Sequence, residues 1–254
     1  MAFTLQFSGR SHVGHVRARN EDSYHVEADQ GLIVVADGMG GHPAGADASR
    51  LAVKTFLRLL GADADMLTSS GAWGERMVEA VGAAHVRLLD EGDRDPARLG
   101  MGTTLTALHL DPETGRGELV HIGDSRAYRL RDGSLTRLSQ DHTWVQEQVE
   151  AGVLDASVAR VHPMAHVLTR VLGGARVMPA PQLRTVTAQP GDLYLLCTDG
   201  LTGHLSDDDL HDIVSGSGEP EAIAAALVEA ANERGGSDNI TVALVRIAPT
   251  PSAG

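Results

Sequence analysis

The sequence predicts an α+β fold in which antiparallel β-sheets are covered by helices. Apolar or alternating stretches of strand length outnumber helical patterns, and the helical patterns are few and clustered. Strands and helices do not alternate as they would in βαβ units. The predicted strands are Phe3–Phe7, Leu32–Ala36, Thr103–Leu110, Glu118–Ile122, Ala127–Leu130, Ser134–Leu138, Leu193–Cys197 and Ile240–Ile247.

Helical spacing appears in two clear segments. Apolar residues recur at intervals of three and four over Ala48–Leu59 and over Ile223–Ala231. Pro43 and Pro220 fall near the starts of these segments, where proline is tolerated. A third helix is predicted over Ala72–Leu89.

Two further features refine this prediction. Asp132-Gly133 supplies the positive φ values of a tight hairpin turn and should join Ala127–Leu130 to the strand that follows. Residues 143–175 interrupt the run of strands with two short helical patterns and irregular chain. We interpret that segment as an insert, or flap.

Composition is that of a soluble globular protein. The chain has 254 residues, of which 42% are hydrophobic and 22% charged, enough for one large domain or two small ones. Only residues 249–254 offer nothing to pack, so they are predicted to form a flexible tail. Met1–His12 lacks the features of a signal peptide, and no apolar run approaches about 18 residues.

The net charge and the cysteine content limit which partners and which cellular compartment we expect for this protein. A net charge of −13 disfavours nucleic acid and anionic membranes as partners. The lone Cys197 can form neither an internal disulfide nor a cysteine cluster, and such usage fits the reducing cytoplasm. We therefore expect a cytoplasmic protein that binds neither nucleic acid nor membrane.

Acidic residues stand at the ends of four apolar stretches. Asp37, Asp124 and Asp199 each follow such a stretch closely, and Asp238 precedes one. A carboxylate at a buried strand end is costly unless it is paired or bound to a metal. At any single site a simple Asp-Gly turn is the alternative, but four acids together favour a shared site.

The ligand chemistry of this set indicates a hard cation. Its donors are oxygens, which Mg²⁺ and Mn²⁺ prefer. Two such ions about 3.5–4 Å apart can hold a water and a phosphoryl group for in-line attack. The sequence therefore predicts a site for Mn²⁺ or Mg²⁺.

Two segments carry groups suited to a phosphate. Arg17 precedes an acidic pair, and its planar guanidinium can grip phosphate through two parallel hydrogen bonds; an ordinary surface arginine is the alternative. Gly38–Gly45 is glycine-rich but lacks the ending of a P-loop, so it does not predict a nucleotide site. We interpret it as a close backbone approach to a metal site, with His42 as a proton donor or an ordinary loop histidine.

Six motifs occur together in an order that matches a known family. On these motifs the chain resembles the bacterial branch of the PPM family, the metal-dependent type 2C protein serine/threonine phosphatases. The resemblance covers about residues 3–247, and six motifs in order are far more specific than any one of them. The motifs are Gly14–Ser23, Val34–Gly45, Met101–Leu105, Val120–Tyr128, Tyr194–Leu201 and Gly235–Val242.

The resemblance implies a specific fold. It implies a four-layer αββα sandwich, two antiparallel sheets flanked by helices, with the catalytic domain over residues 1–248. The segment of about residues 143–175 matches the variable flap beside the active site, which is thought to affect substrate choice in this family.

The resemblance also implies a metal role for each matched acid. Asp37 should bridge two central ions with the Gly38 carbonyl on one of them, and Asp199 and Asp238 should complete the other. Asp124, together with Asp199, matches a third-metal site, which gives two or three ions. The acidic pair after Arg17, Glu21 and Asp22, should hold metal-bound waters.

The implied reaction is direct hydrolysis of phosphoserine and phosphothreonine on proteins. A water bridging the metals would attack phosphorus, Arg17 would grip the phosphate, and His42 would act as general acid. The implied partners are phosphorylated proteins and a serine/threonine kinase whose action the enzyme opposes, and the implied state is a monomer. The sequence has no Cys-x5-Arg loop, which fits a mechanism without a covalent phosphoenzyme.

Two rival functions stay open at this point. One is a non-catalytic regulator that uses a phosphatase fold to bind a partner, although the complete set of acids argues against it. The other is a hydrolase of a small phosphorylated metabolite or nucleotide, which the fold does not exclude.

Overall fold

The computed structural model describes residues 3–40, 44–61, 72–159, 162–216 and 218–248. His42, Pro43 and the predicted tail 249–254 lie outside these ranges. The strands are β1 Thr4–His12, β2 Asp22–Glu27, β3 Leu32–Met39, β4 Gly102–Thr103, β5 Leu105–Leu110, β6 Arg116–Ile122, β7 Arg126–Arg131, β8 Ser134–Arg137, β9 Leu172–Gly173, β10 Gln182–Thr187, β11 Leu193–Cys197 and β12 Ile240–Ala248. The helices are α1 Ala44–Gly61, α2 Ala72–Arg94, α3 Trp144–Glu150, α4 Ala156–Ala159, α5 Asp199–Thr202, α6 Asp207–Val214 and α7 Pro220–Glu233, with a short 3₁₀ helix at Pro96–Arg98.

The strands form two antiparallel sheets among the described residues. The five-stranded sheet has the order β1-β12-β11-β7-β8. The seven-stranded sheet has the order β10-β6-β5-β3-β4-β9, with β2 paired to β3. The chain passes from the second sheet to the first in the turn between β6 and β7.

The alternation of side chains along β3 shows how the layers pack. Val34 belongs to the apolar cluster that also contains Phe56 of α1 and Met77 of α2. Its neighbour Val35 points the other way, into the cluster between the sheets that contains Tyr194 of β11. The outer face of the five-stranded sheet packs on α5, α6 and α7. The predicted four-layer αββα sandwich is thus confirmed.

The predicted strand Thr103–Leu110 is wrong in one respect, because it is divided into β4 and β5. At Thr104 the backbone N–H donates to the Asp37 carbonyl at 2.9 Å, and the hydroxyl accepts the Asp37 N–H at 2.9 Å. Thr104 therefore leaves the regular ladder in order to hold the end of β3. The predicted Asp132-Gly133 turn is present, with φ values of 49° and 73°.

The predicted flap segment contains both helices and sheet. Thr143 caps α3 by accepting a hydrogen bond from the Gln146 N–H at 3.3 Å. The last part of the segment, β9, pairs with β4 and so belongs to the seven-stranded sheet. None of the helices in the described ranges has the length and apolar character needed to span a bilayer.

Candidate active site

The two sheets bring the four predicted acids to one cleft. Asp37 ends the buried part of β3, Asp124 lies in the turn between the sheets, and Asp199 and Asp238 flank the neighbouring strands β11 and β12. All four line a cleft of about 530 Å³, as does Arg17. Residues far apart in the sequence thus form one acidic site.

Burial and crowding oppose ionisation of three of these carboxyl groups, those of Asp37, Asp124 and Asp199. Burial, together with the charges of neighbouring carboxylates, raises the pKa of Asp37 well above its usual range. The pKa of Asp124 is raised for the same reasons, with Asp199 as its main charged neighbour. Burial and the charge of Asp238 raise the pKa of Asp199. The site therefore has a strong electrostatic demand for positive charge.

Close backbone packing fixes the end of β3. A Cβ atom on Gly38 would lie 2.0 Å from the Gly45 carbonyl oxygen at the start of α1, so no larger residue fits without a shift. The Gly38 N–H donates to the Glu21 carbonyl at 3.2 Å. These contacts hold Gly38 close to Glu21 and to the start of α1, at the edge of the acidic site.

The predicted pair Glu21 and Asp22 is divided between two environments. Glu21 is buried and lines the acidic cleft. Asp22 lies opposite Asp37 in the β2–β3 ladder, and its Oδ2 accepts hydrogen bonds from the hydroxyls of Thr198 at 2.9 Å and Thr241 at 2.6 Å. Burial raises the pKa of Asp22 to about 7. Asp22 therefore lies behind the cleft.

The donor set fits divalent cations by its chemistry. Asp22 Oδ1 and Asp199 Oδ1 are buried and have no hydrogen-bond partner among the described residues. Buried carboxylates of this kind are stable in the charged form only when cations neutralise them, and oxygen ligands suit Mg²⁺ and Mn²⁺. No group of three or more Asp, Glu, His or Cys side chains in the described ranges has the arrangement of a formed metal site, so the fit rests on donor type, burial and charge.

Arg17 brings positive charge to the mouth of the cleft. Its Nη2 lies 2.7 Å from Asp238 Oδ2, and its side chain is 48% exposed. The hydrogen bond to Asp238 raises the pKa of Arg17. Gly14, with φ of 80°, lets the loop that carries Arg17 pack tightly, because a Cβ there would lie 2.2 Å from the Asp238 carbonyl oxygen.

Asn239 holds this loop in place, and sequence reasoning gave it no role. Its Oδ1 accepts the Glu21 N–H at 2.8 Å, and its Nδ2 donates to the carbonyls of Val13 and Arg19 at 2.9 Å each. A buried amide directly after Asp238 thus fixes both ends of the Arg17 loop. The sequence feature that could have revealed this role is an asparagine at the start of a buried strand, where an amide without hydrogen-bond partners would be costly.

Two histidines connect the flap to the cleft. His166 is exposed, and its Nδ1 lies 3.9 Å from Asp199 Oδ2. His142 is buried, and its Nδ1 accepts the N–H of Gly123, next to Asp124, at 3.1 Å. The His142 carbonyl accepts the Thr169 N–H at 2.9 Å. Sequence reasoning missed both residues, and His42 lies outside the described ranges.

Comparison with known proteins identifies a family for the whole chain. The family model described as Protein phosphatase 2C matches residues 8–230. The serine/threonine protein phosphatase PstP of Mycobacterium tuberculosis is 39% identical over 249 residues, which are 97% of this chain and 46% of that protein. The chain therefore spans about half the length of that relative. Protein phosphatase PhpP of Streptococcus pneumoniae is 35% identical over 246 residues, 95% of this chain and 97% of that protein.

Solved structures agree with the fold. A crystal structure of the Mycobacterium tuberculosis serine/threonine phosphatase PstP/Ppp has a TM-score of 0.87 and 38% identity, and the match covers 96% of this chain and 99% of that one. The catalytic domain of PstP in complex with two manganese ions has a TM-score of 0.85 and 37% identity, and the match covers 97% of this chain and 100% of that one.

Proposed function

Because the chain belongs to the protein phosphatase 2C family, we propose that it is a metal-dependent phosphatase of phosphoserine and phosphothreonine in proteins. One observation carries the proposal: four partly buried acids from two sheets converge on a single cleft whose mouth holds an arginine. Structural carboxylates are rarely gathered in this way without positive charge to neutralise them.

We assign the oxygen ligands of the cleft to separate metal ions. We assign Asp37 and the Gly38 carbonyl to one ion, and Asp37, Asp199 and Asp238 to the other. Asp124 and Asp199 would hold a third, while Glu21 and Asp22 would hold waters of the metal shell. The two manganese ions in the PstP complex fit this assignment. The arrangement is compatible with either Mn²⁺ or Mg²⁺.

The metal ions and the protein contribute different parts of the reaction. When bound, two such cations hold a bridging water, lower its pKa and neutralise phosphoryl charge during in-line attack. Arg17, at the mouth of the cleft, would bind two phosphoryl oxygens of the substrate through its planar guanidinium. The tight packing of its loop on Asp238 places it beside the acids.

The leaving group needs a proton. We assign this step to His42, whose imidazole would protonate the serine or threonine oxygen directly or through a water as the P–O bond breaks. His42 lies in the sequence between Gly38 and the start of α1. Cys197 takes no part, because it is buried and burial raises its thiol pKa to about 12.

The reaction defines the partner class. A phosphoserine or phosphothreonine ester on a protein is made by a serine/threonine kinase, so the enzyme would oppose such a kinase. The relatives PstP and PhpP are named as protein phosphatases, which supports phosphorylated proteins as substrates.

The test is phosphate release from a phosphothreonine peptide with Mn²⁺ and with EDTA, using the parent chain and Asp199→Asn. We expect release with Mn²⁺, none with EDTA, and a loss of at least about 10³-fold in the variant. A folded parent that releases no phosphate would favour a non-catalytic regulator. Faster turnover of nucleotides or small phosphate esters than of the peptide would favour a metabolite hydrolase.

A further inference from the structure

A second cavity opens beside the acidic cleft. It has a volume of about 580 Å³ and lies between the flap helices α3 and α4 on one side and α5 with the start of α6 on the other. Asp124, His166 and Asp199 line both cavities. A molecule held in the cleft can therefore extend into this second cavity, which we call the side pocket.

One wall of the side pocket is apolar. Val145 and Val149 of α3 and Ala156 and Ala159 of α4 line it, and Leu205, between α5 and α6, adds apolar surface on the opposite side. Val145 and Leu205 are buried, so they form a firm surface that stays in place without a ligand. An apolar side chain entering here would remove apolar surface from water on both partners.

The charged groups of the side pocket that lie outside the acidic cleft already have partners. Arg126 donates to both carboxylate oxygens of Asp141 at 2.8–3.2 Å, and Arg137 also pairs with Asp141. Asp207 accepts a hydrogen bond from the Tyr128 hydroxyl at 3.0 Å.

The balance of charge excludes two kinds of occupant. Asp124 and Asp199 also line the pocket and are assigned above to the metal ions. The other Arg and Asp side chains of its lining are two arginines, Arg126 and Arg137, and two acids, Asp141 and Asp207. An acidic side chain would have to compete with Asp141 for its arginines, and a basic side chain would have to displace those arginines from Asp141. Breaking a partly buried ion pair is costly, so a neutral apolar group is the best fit.

We propose that the side pocket receives an apolar side chain of the substrate protein next to the phosphorylated residue. The inference rests on the proposed function, because it needs a phosphorylated residue in the adjoining cleft. It makes the side pocket a specificity site: the cleft binds the phosphate that every substrate has, and the side pocket distinguishes among the neighbouring residues.

The test compares phosphothreonine peptides that carry Leu, Asp, Lys or Ala at single positions within three residues of the phosphothreonine. We expect Leu at one position to raise kcat/KM by about 10-fold over Ala, as one filled apolar pocket allows. Asp and Lys at that position should give no gain. Equal kcat/KM for all four peptides at every position would overturn the inference.

Two variants on one helix locate the effect. Ala159→Trp would fill the side pocket and should bring the Leu-to-Ala ratio of kcat/KM close to one. The matched control, Val158→Trp, changes the neighbouring residue, which is 46% exposed and does not line the pocket, and should keep the parent ratio. The same ratio in both variants would contradict the assignment. Circular dichroism and thermal melting check that both variants fold.

A charged substitution in the side pocket should switch the peptide preference, and loss of folding would not produce such a switch. Val149→Lys places a cation in the apolar wall and should shift the preference from the Leu peptide to the Asp peptide. An unchanged preference would overturn the inference. Failure of the parent chain to cleave any phosphopeptide, while cleaving p-nitrophenyl phosphate, would instead overturn the proposed function and the side-pocket inference with it.

Discussion

The acids of this site and the arginine proposed to bind phosphate are held in different ways. Asp37 and Asp199 are attached to the ends of strands that are buried on both faces of their sheets. Arg17 sits on an exposed loop fixed mainly by Asn239 and Gly14. Rigid placement suits acids that are proposed to share ions, whereas loop placement suits a group proposed to engage only when a phosphate arrives.

The largest effect is expected at the strand ends. Asp37→Ala and Asp238→Ala should lower kcat/KM at saturating Mn²⁺ by at least about 10³-fold, because each removes a proposed metal ligand. The matched control is Asp208→Ala, which removes an exposed acid of α6. More than a tenth of parent activity in Asp37→Ala would show that the strand-held acids do not bind the metals.

His42→Gln should have the next largest effect. Loss of a general acid should lower kcat by about 10²-fold for a phosphothreonine peptide. The effect on p-nitrophenyl phosphate should be much smaller, because nitrophenolate leaves without protonation. Equal losses for the two substrates would remove His42 from the proton-transfer step, and His211→Gln is the surface control.

Arg17→Ala tests the loop-held cation. We expect about a 10-fold rise in KM for the phosphopeptide with kcat nearly unchanged, because a charge-assisted contact to phosphate is lost. Arg19→Ala, on the same loop, should leave both constants unchanged. If Arg17→Ala behaved like Arg19→Ala, the proposed phosphate clamp would be wrong.

The smallest effect concerns the hydrogen bonds that hold a strand-end acid. Thr104→Val keeps the side-chain shape but leaves the buried Asp37 N–H without its acceptor, and should lower the free energy of unfolding by about 1 kcal/mol. Thr104→Ser keeps the hydroxyl and should cost less. Urea unfolding of the two variants measures the difference, and equal stability would mean that this bond does not hold the end of β3.

Strongly patterned elements could be predicted from the sequence alone. Leu193–Cys197 was predicted with its observed bounds, and the helix over Ala72–Leu89 differs only by extending to Arg94. In both elements, the side that is buried is marked by the spacing of apolar residues in the sequence. The acids at strand ends were predicted from the same apolar spacing, because a carboxylate directly beside a buried strand is costly unless it is paired or bound to a metal.

Weakly patterned elements were missed. Strand β2, Asp22–Glu27, alternates only weakly, with Tyr24 and Val26 as its apolar residues, and β3 provides its hydrogen-bonding partner. Among the described residues, strand β10, Gln182–Thr187, pairs with β6 alone, and most of its side chains are exposed, so its sequence has no regular apolar pattern. Whether such a segment forms a strand depends on the strand it pairs with, and a local sequence pattern does not identify that partner.

The sequence by itself determined the family, the α+β class and the identity of the acids, because these follow from motifs and from local periodicity. Only the tertiary structure decided which of those acids share a cleft, that Asp22 lies behind it, that Asn239 and His142 hold its edges, and that a side pocket adjoins it. Those features arise where two sheets and a flap meet, and distances across such a junction depend on packing between segments more than a hundred residues apart.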